Sequence, residues 1–178
     1  MDKEEVGSIG ATGMHSQFFN NMVGEMIALM NGGVCSDISI TRALAHGTLL
    51  SADVAAAFDP NYPNVGDNAN FAAIGQGIAM VKYTGSRGKS GANDAAAELV
   101  GKVRKLFNDH GVVYQTSELG KVDQGGGGTI AYIMANYDMD VIDAGVAMLS
   151  MHAPWEIVSK ADVYMTSRAY HEFFVNYR

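Results

Sequence analysis

The stretch Thr48-Leu49-Leu50-Ser51-Ala52-Asp53-Val54 decides the fold. It is a short, largely apolar run set off by Gly47, and it reads as a buried strand that delivers a carboxylate, Asp53, at its end. An open α/β sheet offers ligands and substrates the groups at its strand ends. Taken alone, Asp53 reads rather as a turn residue or a helix cap than as a ligand.

Working outward toward the N-terminus, Met14, Phe18, Phe19, Met22, Val23, Met26, Ile27 and Met30 recur at helical spacing. Residues 14–31 therefore read as an amphipathic helix ended by Asn31-Gly32-Gly33, with the methionines filling the core. Ser36 or Asp37 caps a short helix to Ala45, and Gly47 stops it.

Toward the C-terminus, residues 58–70 hold two of the chain's three prolines together with Asn and Asp, and read as a loop. Residues 78–83 read as a strand and 84–91 as a mobile basic loop. Asn93 or Asp94 caps a helix through Phe107 whose apolar stripe is Leu99, Val100, Val103, Leu106 and Phe107. Residues 112–115 form a short strand. Gly125-Gly126-Gly127-Gly128 leads into a helix ending near Asn136, and residues 139–151 form one or two strands broken near Ala144-Gly145. Ser159 and Asp162 mark the start of a terminal helix with Val163, Tyr170, Phe173 and Phe174 toward the core. This alternation predicts one α/β domain, residues 1–178, with a central mixed sheet, helices on both faces and a site at the strand ends.

Four acidic or basic groups carry the chemistry. Adjacent Glu4 and Glu5, Asp53, and the late His152 form a partial ligand set for a hydrolytic metal site. Such a site needs carboxylate or imidazole ligands and one unligated carboxylate to take a proton from water. Neighbouring residues on a strand face opposite ways, so Glu4 and Glu5 converge only where the chain turns, and Gly7 and Gly10 supply that turn. Without further context a Glu-Glu pair beside a terminus is a solvated charge cluster. Four successive glycines at a helix start suit close approach of a substrate to main-chain N–H groups at Gly127 and Gly128, or else a flexible crossing loop. The glycines of 84–91 miss the spacing of a phosphate-binding loop. His110 reads as a helix-end residue, His171 as surface or packing, and Cys35 as a small half-buried residue.

Composition excludes several classes. A net charge of -7 with no stripe of Lys and Arg argues against nucleic acid. No apolar run is long enough to span a bilayer and the acidic start is unlike a signal peptide, so no membrane association is expected. The lone Cys35 fits a reducing cytoplasm.

Several motifs in one order supply the missing context. Asp2-Lys3-Glu4-Glu5-Val6-Gly7-Ser8-Ile9-Gly10-Ala11-Thr12-Gly13, Leu50-Ser51-Ala52-Asp53-Val54 with Asp59-Pro60-Asn61-Tyr62, Thr84-Gly85-Ser86-Arg87-Gly88-Lys89-Ser90, Gly128-Thr129-Ile130 and Leu149-Ser150-Met151-His152-Ala153-Pro154 resemble the aminopeptidase I/aspartyl aminopeptidase family of co-catalytic zinc exopeptidases. The resemblance implies a zinc-exopeptidase-like fold and removal of N-terminal amino acids from peptides. It puts Glu4 in the place of the general base and Glu5, Asp53 and His152 in the places of metal ligands. Two zinc ions are implied for a complete member, with cobalt or manganese as alternatives. The family's earlier histidine ligand and bridging aspartate precede the Glu-Glu motif. The chain therefore resembles the C-terminal part of the catalytic domain, expected to need an upstream fragment and to act weakly alone. Complete members carry a separate dimerisation domain and form large homo-oligomers. Lys82 is the basic group considered for pairing with a substrate carboxylate. The readings left open are a non-catalytic truncated or pseudo-enzyme fragment serving as a subunit or interaction module, and a related hydrolase such as an amino-acid deacylase.

Overall fold

The computed structural model describes residues 1–87, 89–121 and 123–178. A 3-10 turn at Glu4–Val6 is followed by α1 (Phe18–Met30), α2 (Asp37–Ala45), β1 (Thr48–Ser51), β2 (Ala55–Ala56), β3 (Ile78–Val81), β4 (Tyr83–Ser86), β5 (Ser90–Asp94), α3 (Ala97–Asp109) and β6 (Tyr114–Ser117). The chain continues through α4 (Ala131–Ala135), β7 (Asp140–Gly145), β8 (Ala147–Leu149), β9 (Ile157–Val158) and α5 (Lys160–Asn176).

The central sheet runs β1-β7-β3-β6. β1 lies parallel to β7 and β3 parallel to β6, whereas β3 and β7 are antiparallel, so the sheet is mixed as the sequence predicts. Side chains alternate across its two faces. Ile78, Met80, Ile142 and Ala144 pack with Leu99, Val103, Leu106 and Phe107 of α3 and Ala169 of α5. Val141, on the opposite face, packs with Met14 and with Ala131, Ile133 and Met134 of α4. Helices thus cover both faces. The α3 stripe follows the 3.6-residue period, and each fully buried large apolar side chain of this kind contributes about 1.5–3 kcal/mol.

Two strands then run on side by side past the central sheet. β1 leads into β2 and β7 into β8, and β2 pairs parallel with β8 in a second sheet closed by β9. The interruption between β1 and β2 holds Asp53. A Cβ on Gly145, at the matching break, would stand 1.9 Å from the Asp53 carbonyl oxygen. Only glycine lets the two backbones pass this closely.

Both helix caps read from serine are present: Ser36 Oγ accepts from the Ser39 amide at 3.3 Å, and Ser159 Oγ accepts from the Asp162 amide at 3.4 Å. The α5 start is tied further into the sheet, because the buried Asp162 carboxylate accepts the Gly75 and Gly77 amides at 2.6 and 2.8 Å.

Four elements differ from expectation. In α5, Tyr170 and Phe173 pack against the core as expected, but Val163 and Phe174 are exposed on the outer side of the helix. The segment expected as a mobile basic loop, 84–91, contributes to the β4–β5 antiparallel pair, with Thr84 buried in it; Gly88 of that segment lies outside the described residues. Asn93 belongs to β5 and spends its side-chain amide on the Val141 carbonyl at 3.1 Å, so α3 starts at Ala97 without a side-chain cap. The α1 methionines do not fill the core: α1 buries no residue, and Met22, Met26 and Met30 are exposed. A helical period reports a face, and here Phe19, Val23 and Ile27 are half-buried while the methionine side of the stripe is turned outward. Among the described residues no helix is long and apolar enough to cross a membrane.

Candidate functional site

Glu4 and Glu5 sit in the 3-10 turn, entered through Lys3 at φ 66° and left through Gly7 at φ 91°. The left-handed residues on either side fold the turn tightly enough to bring both carboxylates to one pocket. Asp53 enters the same pocket from the break after β1, where its Oδ1 accepts the Val54 amide at 2.8 Å. His152 arrives from the turn after β8, also in the left-handed region at φ 67°, with its amide donated to Glu156 Oε1 at 2.7 Å.

The pocket has a volume of about 300 Å³. Its walls add Phe71, Leu119, Met151 and the glycines Gly126, Gly127 and Gly128, with Thr129 beside them. The structure therefore brings together Glu4, Glu5, Asp53, His152, Gly127 and Gly128. It does not bring Lys82 there: Lys82 lies outside the pocket lining and forms an ion pair with Asp94 across the β4–β5 pair. A cation already held by a neighbouring carboxylate at the surface is not presented to a pocket occupant.

The electrostatics follow from three carboxylates crowded around one imidazole. Burial raises the Glu4 carboxyl above its ordinary range, and the Asp53 and Glu5 carboxylates push it further. Burial is also the main cause that raises Asp53; the Val54 amide opposes it, and Glu5 adds to it. Glu5 Oε2 and His152 Nε2 stand 3.0 Å apart. A divalent cation would relieve this crowding, because its charge reverses the local preference for protonated carboxyls.

Two nitrogen or oxygen donors on one zinc, each about 2.0–2.2 Å from it, stand a little over 3 Å apart in a tetrahedron, so the Glu5–His152 contact suits a shared ion. Yet among the described residues no three His, Cys, Asp or Glu groups converge closely enough to hold a metal. The residues fit part of a zinc site, with Asp53 adjacent to the contacting pair.

Beneath this pocket lies a group the sequence reasoning missed. Asp143 of β7 is 1% exposed, and its Oδ2 accepts from the Thr129 hydroxyl at 2.9 Å. Burial pushes its carboxyl up to about 6, against the pull of the Ser51, Thr129 and Thr84 hydroxyls and with a further push from Asp53. A signal was present: Asp143 is a charged residue flanked by apolar ones, Val141-Ile142-Asp143-Ala144, inside a strand whose other aspartate, Asp140, stands at its exposed start. His110, by contrast, stays apart from the pocket and closes α3 against Glu172 of α5, Nδ1 to Oε2 at 3.0 Å.

Glu4 and Glu5 from the 3-10 turn, Asp53 from the break after β1 and His152 from the turn after β8 thus line one pocket, and comparison with known proteins gives the family. The family model described as aminopeptidase I zinc metalloprotease (M18) matches residues 1–174, and the chain belongs to that family. The probable M18 family aminopeptidase 1 of Clostridium acetobutylicum is 57% identical over 176 residues, which are 99% of this chain and 37% of that protein. Its counterpart in Thermotoga maritima is 48% identical over 169 residues, 95% of this chain and 37% of that protein. The crystal structure of aminopeptidase I from Clostridium acetobutylicum superposes with a TM-score of 0.86, covering 98% of this chain and 37% of that one. The Thermotoga maritima M18 structure gives 0.89, covering 96% and 38%. The chain thus spans little more than a third of the length of these relatives.

Proposed function

We propose that this chain supplies the general base and part of the metal site of a zinc aminopeptidase that removes N-terminal amino acids from peptides. The observation that carries the reading is the convergence of Glu4, Glu5, Asp53 and His152 with the glycine wall around one pocket. Glu5, Asp53 and His152 hold zinc, two ions being bound once the site is complete; cobalt or manganese are alternatives that oxygen and nitrogen donors also accept. When bound, zinc supplies Lewis acidity at the scissile carbonyl. Glu4 takes a proton from the attacking water and returns it to the leaving amine. Its raised affinity for protons suits this task, since a general base works best with a pKa nearer the working pH. The main chain at Gly127 and Gly128 receives the substrate backbone.

The proposal extends to one catalytic-domain unit over residues 1–178, to a cytoplasmic setting and to assembly as a homo-oligomer. The lone cysteine supports the setting, and the outward apolar side chains of α1 support the assembly. A second reading, a fragment that serves as a non-catalytic subunit, is favoured by one observation: among the described residues no metal-holding cluster of three donors is complete.

Replacing the matching 176 residues of the Clostridium acetobutylicum relative with this chain gives a protein that separates the two. Aminoacyl anilide turnover by the chimera supports the enzyme; none, with zinc bound and the fold intact, supports the subunit. In an active chimera Glu4→Gln lowers kcat by about two to four orders of magnitude with zinc content kept, whereas Glu5→Gln loses zinc. The reverse pattern exchanges the two roles.

A further inference from the structure

The glycine wall of the pocket poses a physical problem. Gly126, Gly127 and Gly128, which line it, and Gly125 just before them carry no side chains with which to pack, and glycine loses more backbone freedom on ordering than any other residue. One side of the wall is held by β4 and the residue after it: the Gly85 amide donates to the Gly127 carbonyl at 3.0 Å, and the Arg87 amide to the Gly125 carbonyl at 2.8 Å. Packing there is backbone on backbone. A Cβ on Gly126, whose φ is 88°, would meet the Gly85 carbonyl oxygen at 2.4 Å and the Leu119 carbonyl oxygen at 2.8 Å.

The other end of the wall is Thr129. Its side chain is buried, its Oγ1 donates to Asp143 Oδ2 at 2.9 Å, and the same oxygen accepts the Ala131 amide at 3.1 Å. Thr129 therefore joins the wall, the first turn of α4 and the central sheet through one hydroxyl. Asp143 stands in the middle of a row that crosses the sheet at its strand ends. Ser51 is opposite it on β1 and Val81 on β3, and Ser117 of β6 lies beyond Val81. All four are buried. A carboxylate in this position needs a reason, because burying it is costly unless it is hydrogen-bonded. Among the described residues Asp143 Oδ1, Thr84 Oγ1 and Ser117 Oγ make no hydrogen bond, although the nearby Ser51 and Thr84 hydroxyls still act on the carboxyl electrostatically, so the row is not optimised as a structural network. What it does make is the Thr129 bond.

We propose that Asp143 is a positioning residue: through the Thr129 hydroxyl it fixes the glycine wall of the pocket at the distance from Glu4, Glu5, Asp53 and His152 that an extended peptide backbone requires. The purpose assigned to the wall rests on the aminopeptidase reading; the anchoring does not. Asp143 touches no substrate and acts entirely through Thr129. A wall of bare glycine admits the main chain of any peptide closely, and a single side-chain anchor sets where that main chain lies.

The test uses the 178-residue chain itself, without metal or substrate, so that its failure is separable from failure of the aminopeptidase reading. Amide 15N relaxation is measured for residues 125–129 in the wild type, Thr129→Val, Thr129→Ser and Asp143→Ala. Order parameters of a rigid backbone lie near about 0.85 and those of a flexible one below about 0.6. The wild-type wall is expected at the rigid end. Thr129→Val keeps the shape and removes the hydroxyl, and with Asp143→Ala it drops the wall to the flexible end while α3 and β3 stay rigid. Thr129→Ser, which keeps the hydroxyl, restores the wild-type values. Should Asp143→Ala fail to fold, Thr129→Val decides alone. A wall already flexible in the wild type, a wall still rigid in Thr129→Val, or equal loosening in Thr129→Ser and Thr129→Val overturns the proposal.

Discussion

The two faces of the central sheet differ more than the two ends of the chain. On one face Ile78, Met80, Ile142 and Ala144 meet the α3 stripe and Ala169 in a dry apolar contact. On the other, at the strand ends, Ser51, Asp143 and Ser117 are just as buried but polar, and the candidate site lies beyond them. The same strands build both faces, because successive side chains alternate. The first face is apolar throughout this contact, whereas the second combines the apolar packing of Val141 with α4 and a row at the strand ends that spends some of the resulting stability on a buried carboxyl and hydroxyls without hydrogen bonds. Local cost at a functional surface is a general expectation for buried polar groups that do not complete a network.

Substitutions on the two faces should fail differently. The largest effect is expected on the apolar face: Phe107→Ala removes a fully buried ring and should lower unfolding free energy by about 3–5 kcal/mol. A urea midpoint unchanged within error would contradict the packing described. On the polar face the effect depends on pH. Folding raises the Asp143 carboxyl from 3.8 to about 6, so the native state holds this proton more tightly than the unfolded chain. The resulting stabilisation is complete below about pH 4 and is lost as pH rises through about 6. Relative to Asp143→Asn, the wild type should therefore lose about 2–3 kcal/mol between those limits, at about 1.4 kcal/mol per unit. A gap between the two proteins that stays level with pH would show that Asp143 is not buried as described. The smallest effect is expected away from both faces. Met26→Ala on exposed α1 should shift stability by no more than about 0.5 kcal/mol; a cost above about 2 kcal/mol would mean that α1 is covered in solution.

The same contrast explains what could be read from the sequence. The apolar face was legible, because the period of Leu99, Val103, Leu106 and Phe107 and the caps at Ser36 and Ser159 are local signals. The meeting of Glu4, Asp53 and His152 was legible through motif order rather than through physics, since no local rule joins residues so far apart. Three features stayed hidden for physical reasons. The exposure of the α1 methionines depends on what lies outside the helix. The β4–β5 pairing depends on tertiary contact that overrides a glycine-rich composition. The Asp143–Thr129 bond links strand and loop across the fold, and a charge between apolar neighbours inside a strand announces burial without naming its partner.

The claim that Glu5, Asp53 and His152 form part of a zinc site is tested most directly by calorimetric titration of the 178-residue chain with zinc, alongside Glu5→Gln and His152→Ala. The account predicts weak binding of no more than about one ion, because two donors in contact with a third nearby leave the coordination shell open, and it predicts further loss of affinity in each variant. Tight binding of two ions, or binding that neither substitution weakens, would contradict it.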